Sequence, residues 1–214
     1  DGFLALAARR DVVLVGGDTT RGPLSISVTV HGFVASGQAL RRDGARVGDE
    51  VWVSGTLGDA AGALVQWRDG SIREASLRER LDRPTPRVAL GLALAGLAPC
   101  AIDVSDGLVA DLGHVCRASG VGIELALDAL PASSALRAAF DETTRHRLQA
   151  TGGDDYELCF TLAPERADAL QRAAATADVA VTRIGRVVAG TGVRVFAADG
   201  SEWKPAAAGY VHFG

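Results

Sequence analysis

Ala101-Ile102-Asp103-Val104-Ser105-Asp106-Gly107-Leu108 is the stretch that decides the fold. A strand from Ala101 to Val104 runs into the acidic turn Ser105-Asp106-Gly107, and a strongly apolar helix follows from Leu108 to Ala118. The same device, Asp beside Gly where an apolar strand meets a turn, occurs in Val15-Gly16-Gly17-Asp18-Thr19-Thr20 and in Thr151-Gly152-Gly153-Asp154-Asp155-Tyr156. Ends of strands at the open edge of a sheet are where ligands bind. Glycine lets a phosphate approach the backbone, and Asp can hold Mg²⁺ that bridges phosphate oxygens. Carboxylates drawn together repel one another unless cations neutralise them. Each turn alone has a plainer explanation: Asp106 as a helix N-cap, Asp154-Asp155 as a turn before a strand, Asp18 with Thr19 and Thr20 as an Asx-turn. Three occurrences together favour a Mg²⁺–nucleotide site.

Outward from this stretch, strands and helices alternate, which places the chain in the α/β (α+β) class. The pattern predicts a helix over 3–10 and strands at Val12–Val15 and across Leu24, Ile26, Val28 and Val30. Residues 36–49 are polar and turn-rich, the best candidate for a domain boundary. Beyond them the reading gives a strand at Glu50–Ser54, helices at Asp59–Trp67, 73–81 and Arg87–Leu97, and a strand at Val121–Leu127. Residues 133–150 are helical in two pieces, Glu157–Leu162 is a strand, a helix follows Pro164 to about Ala177, and strands cover 180–188 and 192–197.

Composition narrows the function. The chain has 214 residues, 48% hydrophobic and 22% charged, with net charge −4, which is globular and lacks the basic footprint of a nucleic-acid binder. No apolar run reaches the length of a membrane span. Cys100, Cys116 and Cys159 are an odd number without CxxC or zinc-like spacing, which favours reduced thiols in a cytoplasmic protein. There are 21 Arg but a single Lys, Lys204 in Glu202-Trp203-Lys204-Pro205, so no Walker A lysine is available. Phosphate handling then falls to metal ions, Arg forks or backbone amides. Asp outnumbers Glu 18 to 8, a bias toward turns and toward ligands for hard cations. His114 reads as a satisfied core residue in an apolar helix, and Cys116 and Cys159 read as small buried hydrophobes. Gly55-Thr56-Leu57-Gly58-Asp59 reads as a strand-to-helix turn capped by Asp59.

Gly16-Gly17-Asp18-Thr19-Thr20-Arg21-Gly22-Pro23-Leu24, Asp103-Val104-Ser105-Asp106-Gly107-Leu108, Gly152-Gly153-Asp154-Asp155-Tyr156-Glu157-Leu158 and the tail Gly209-Tyr210-Val211-His212-Phe213 together resemble the thiamine-monophosphate kinase family. That family sits in the superfamily of aminoimidazole ribonucleotide synthetase. The resemblance implies ATP-dependent phosphorylation of thiamine phosphate to thiamine diphosphate, assisted by Mg²⁺ and without a covalent phosphoenzyme. No catalytic protein nucleophile is therefore expected. It implies ATP contacts at Gly17, Asp18, Arg42 and Ser105, metal ligands at Asp18, Asp103 and Asp106, and substrate contacts at Asp154 and Tyr210. Many members carry Glu where Asp154 stands. Taken alone, Arg41-Arg42 reads as a solvated turn and Tyr210 as a tail residue covering the core.

The resemblance also implies a two-domain fold, present here as the C-terminal domain plus the last part of an N-terminal domain. Residues 1–38 would be the remnant of an ATP-binding and dimerisation domain, 39–49 a linker, and 50–214 the C-terminal α/β domain. A homodimer through the N-terminal domains is implied, and the 214-residue chain alone is expected to be a poor catalyst. A sister ATP-dependent synthetase and a non-catalytic Mg²⁺–nucleotide-binding module are the alternatives.

Overall fold

The structure, a computed structural model, describes residues 2–71 and 74–210, in two compact units, 1–36 and 37–214. The predicted helix start at 73 and the motif end at 211–213 lie outside the described residues.

In the first unit, α1 spans Gly2–Arg9. The strands expected at Val12–Val15 and Leu24–Val30 do not form among the described residues. The alternating apolar side chains Leu24, Ile26, Val28 and Val30 stay exposed, as do Val13 and Val15. Periodicity proposes a strand, but only a hydrogen-bonded neighbour makes one, and an apolar face without one remains in solvent.

The second unit runs β1 (Glu50–Ser54), α2 (Asp59–Arg68), α3 (Ala75–Asp82), α4 (Val88–Leu94), β2 (Cys100–Asp103), α5 (Leu108–Ser119) and β3 (Gly122–Ala126). It continues with α6 (Ser134–Ala139), α7 (Glu142–Thr151), β4 (Leu158–Leu162), α8 (Ala167–Thr176), β5 (Val181–Val188), β6 (Gly192–Phe196) and β7 (Glu202–Trp203). The α/β class holds, with one seven-stranded mixed sheet in the order β2-β4-β1-β5-β3-β6-β7. Every neighbouring pair is antiparallel except β3 and β6.

The central residues of β1 and β4 read as short apolar runs because both faces of the sheet are covered there. Val51, Val53, Ile102 and Cys159 face a core closed by Leu108, Leu112, Val115 and Cys116 of α5. Trp52, Ala101, Phe160 and Leu162 face the opposite side, where Leu90 and Leu94 of α4 and Leu170 and Ala174 of α8 close a second core. A third cluster, Ala63, Leu77, Leu136 and Leu148, ties α2, α3, α6 and α7 together. The helix predicted over 87–97 stops at Leu94, and His114 lies on the solvent face of α5, where its Nδ1 is 3.0 Å from Arg117. That face is set by Leu108, Leu112 and Val115 turning inward, which leaves position 114 outside. All three cysteines are buried free thiols.

Candidate functional site

β2 and β4 are antiparallel neighbours, with Asp103 opposite Leu158. The pairing does not stop where the regular strands end. Val104 N–H donates to the Glu157 carbonyl at 2.9 Å, Tyr156 N–H to the Val104 carbonyl at 2.8 Å, and Asp154 N–H to the Ser105 carbonyl at 2.9 Å. The acidic loop 104–107 and the acidic loop 152–156 are thereby zipped together backbone to backbone. The contact is too close for side chains. A Cβ on Gly153 would lie 2.5 Å from the Ser105 carbonyl oxygen, and one on Gly107, at φ 124°, would lie 2.8 Å from the Thr151 carbonyl oxygen. The C-terminal segment joins the same place, where Tyr210 N–H donates to the Asp106 carbonyl at 2.9 Å.

Asp103, Ser105, Asp106, Asp154 and Tyr210 therefore share one loop cluster at one end of the sheet. Arg42 reaches it too: its guanidinium is 3.7 Å from the Asp103 carboxylate, both side chains about half exposed. The segment carrying Arg42 is fixed by Ala101 N–H donating to the Arg41 carbonyl and by Ser119 Oγ donating to the Arg42 carbonyl. Gly17 and Asp18 belong to the first unit, where Gly17 has φ 150° and both residues are exposed.

The chain alternates sides through the second loop. Asp154 is partly exposed, Asp155 buried, Tyr156 exposed and Glu157 buried. Asp155, counted among the acidic residues of its turn, thus faces away from any ligand. Its carboxylate accepts the Gly58 N–H with both oxygens, at 2.8 and 3.1 Å. Burial pushes its carboxyl well above the usual carboxylate range, which the Gly58 hydrogen bond partly opposes. Glu157, wholly buried, takes Arg87 in a bidentate pair at 2.6 and 2.7 Å, Arg80 at 2.8 Å and the Ser54 hydroxyl at 2.5 Å. These two inward acids anchor the loop that presents the two outward residues. Asp154 and Tyr156 both sit at positive φ, 67° and 50°. Asp tolerates this region, whereas for a bulky aromatic it costs of order 1–3 kcal/mol. Burial, then the nearby Asp154, and less so Asp103 and Asp106, raise the Tyr156 hydroxyl above its ordinary value.

The residue before α5 resolves the capping question. The N-cap is Gly107, and the carboxylate at the helix start comes from Asp111, one turn in. Asp111 Oδ2 accepts the N–H groups of Ser105, Asp106 and Gly107 at 2.9, 3.1 and 3.2 Å. Burial raises its carboxyl, and these three donors pull in the other direction. Asp59 likewise is not the cap of α2, which is Gly58; Asp59 is the first helical residue, buried, and accepts from the Thr56 and Ser133 hydroxyls. Asp111, Asp155, Tyr156 and Glu157 carry no isolated sequence signal of a role. An acid in the first turn of a helix after an Asp-Gly turn was the one available cue for Asp111.

Among the described residues no three of His, Cys, Asp and Glu converge to hold an ion. The donor set still suits Mg²⁺. Asp103 and Asp106 are hard oxygen donors on one rigid loop, and Mg²⁺ commonly takes one or two carboxylates and completes its shell with water and substrate phosphates. No thiol competes as nucleophile: Cys100, Cys116 and Cys159 are buried and burial raises each of them. No helix among the described residues is long and apolar enough to cross a membrane.

Residues 46–198 match the family model of the AIR synthase related protein, C-terminal domain. Over its whole length the chain is 43% identical to 67% of the thiamine-monophosphate kinase of Salmonella typhimurium. The crystal structure of thiamine-monophosphate kinase from Stenotrophomonas maltophilia superposes with a TM-score of 0.88 at 54% identity, over 94% of this chain and 66% of that one. AaThiL complexed with AMPPCP and TMP superposes with a TM-score of 0.69 at 36% identity, over 81% of this chain and 54% of that one. The chain thus spans about half to two-thirds of the length of these proteins.

Proposed function

We propose, for a chain that belongs to the thiamine-monophosphate kinase family of AIR synthase related proteins, that the reaction it serves is ATP + thiamine phosphate → ADP + thiamine diphosphate. The observation that carries the reading is the loop cluster: Asp103, Ser105, Asp106, Asp154 and Tyr210 on backbones hydrogen-bonded to one another, with Arg42 beside Asp103. AaThiL complexed with AMPPCP and TMP supports the pairing of a nucleoside triphosphate with a phosphate-bearing acceptor.

Phosphoryl transfer between phosphates needs positioning and charge neutralisation more than covalent participation by the protein. Asp103 and Asp106 would hold Mg²⁺; Asp18, in the first unit, keeps only the role the resemblance gives it. When bound, Mg²⁺ neutralises phosphate charge and aligns phosphate oxygens. Arg42 supplies the planar donor fork that a triphosphate accepts, and it is held ready by the opposite charge of Asp103. Ser105 presents a hydroxyl to the nucleotide. Asp154 and Tyr210 face the acceptor, a cationic thiazolium ester for which a carboxylate and an aromatic ring are complementary. The transfer proposed is direct, from ATP to the phosphate of the acceptor, without a phosphoenzyme.

Residues 1–38 are assigned to an ATP-binding and dimerisation domain, 39–49 to a linker and 50–214 to the C-terminal domain; the separation of units at residue 36 supports this division. Two copies pair through the former domain, in the cytoplasm. The test is incubation of the intact protein with ATP, Mg²⁺ and thiamine phosphate, with chromatographic detection of thiamine diphosphate. Asp103→Asn and Asp106→Asn are expected to abolish product formation while leaving the fold intact. No product from the unaltered protein, with turnover of another ATP-dependent substrate, would assign it instead to a sister synthetase.

A further inference from the structure

A helix N-terminus after a glycine turn is a ready anion site, because its first N–H groups lack partners and the helix dipole favours negative charge. In α5, Asp111 turns its carboxylate back past the N-cap Gly107 to the loop that precedes the helix. One oxygen of Asp111 collects three consecutive N–H groups, those of Ser105, Asp106 and Gly107. Asp111 is 4% exposed, so the arrangement is sealed from solvent. Three successive amides can converge on one oxygen only if the loop curls around it. That curl fixes the backbone carrying the Asp103, Ser105 and Asp106 side chains, while the carbonyls of Ser105 and Asp106 turn outward to receive Asp154 N–H and Tyr210 N–H.

We infer that Asp111 is a positioning residue: its carboxylate gathers the amides of Ser105, Asp106 and Gly107 and shapes the 103–107 loop for cation binding. The metal consequence rests on the assignment of Asp103 and Asp106 as ion ligands; the loop consequence does not.

The test uses the 214-residue chain with two readouts. The first is amide hydrogen exchange at Ser105, Asp106 and Gly107. Asp111→Ala is expected to reduce protection of these three amides at least about tenfold, since each loses a charge-assisted bond. Sodium formate, at tens of millimolar, is expected to restore protection in Asp111→Ala and to change nothing in the unaltered chain. The second readout is Mn²⁺ affinity by electron paramagnetic resonance, expected to weaken about tenfold in Asp111→Ala and to recover with formate. Retained protection at all three amides in Asp111→Ala, or lost protection that formate does not restore, overturns the inference. If Asp111→Ala fails to fold, Asp111→Asn carries the test. Its amide oxygen keeps the shape without the charge, so it should fold with protection reduced about threefold; protection equal to the unaltered chain overturns the proposal. If the unaltered chain and Asp103→Asn bind Mn²⁺ alike, the ion-ligand assignment fails, and the exchange arm still decides the role of Asp111.

Discussion

Glu157→Gln is the perturbation that most sharply tests how the site is held. The carboxylate is completely buried and receives four side-chain bonds: two from Arg87, one from Arg80 and one from the Ser54 hydroxyl. Arg87 and Arg80 are themselves only 17% and 20% exposed, so neither can recover full hydration when its partner is neutralised. Gln keeps the length of the side chain but removes the charge and turns one acceptor into a donor that faces guanidinium hydrogens. Removing one member of a buried ion pair costs about 3–5 kcal/mol, because the remaining charges are stranded. At about 2–4 °C per kcal/mol for a domain of this size, the thermal midpoint should fall by roughly 6–20 °C. Thermal and urea unfolding followed by tryptophan fluorescence measure the midpoint and the free-energy loss, with Ser54→Ala as a control expected to lose only about 1 kcal/mol. A loss below about 1 kcal/mol for Glu157→Gln would refute the claim that this cluster anchors the loop bearing Asp154 and Tyr156.

Gly153→Ala, whose Cβ would sit 2.5 Å from the Ser105 carbonyl oxygen, should separate the two acidic loops at a cost of about 1–3 kcal/mol and weaken Mn²⁺ binding; equal urea midpoints would contradict the close approach. Asp155→Asn probes pH linkage. A carboxyl raised by burial adds stability fully present below the unfolded carboxylate pKa and lost as pH rises toward its folded value. The stability of the unaltered chain relative to Asp155→Asn should therefore decline from pH 4 toward neutrality, by at most about 1.4 kcal/mol per pH unit, and a pH-independent difference would contradict it. Arg42→Ala should weaken nucleotide binding at least about tenfold, with Arg42→Lys recovering only part because an ammonium lacks the planar fork; calorimetric titration with ATP checks both, and full recovery by Lys would argue against a fork-like contact.

Much of the second unit was legible because its burial pattern is regular. β1 and β4 are apolar at Val51–Val53 and Leu158–Phe160 since both faces are covered there, and α5 shows its inward stripe at Leu108, Leu112 and Val115. The tail strand β7 is two residues long, too short for periodicity to register. The order of strands depends on pairings such as Asp103 with Leu158, which join distant segments and leave no local trace. Val12–Val15 and Leu24–Val30 carry a strand pattern that goes unpaired in the described residues, so pattern and structure part company there. In the site, the outward residues Asp103, Ser105, Asp106, Asp154 and Tyr210 were legible as a motif. The inward supports were not. Asp154 and Asp155 are identical in type and adjacent, and only the backbone bonds to Val104 and Ser105 determine which of them faces out.

The proposed role of this loop cluster is transfer of a phosphoryl group from ATP onto thiamine phosphate. Phosphorus NMR of the intact protein with ATP, Mg²⁺ and thiamine phosphate tests it most directly. The paired resonances of thiamine diphosphate are expected to grow in step with ADP, with no inorganic phosphate released. ADP accompanied by inorganic phosphate, while the thiamine phosphate signal stays unchanged, would contradict it.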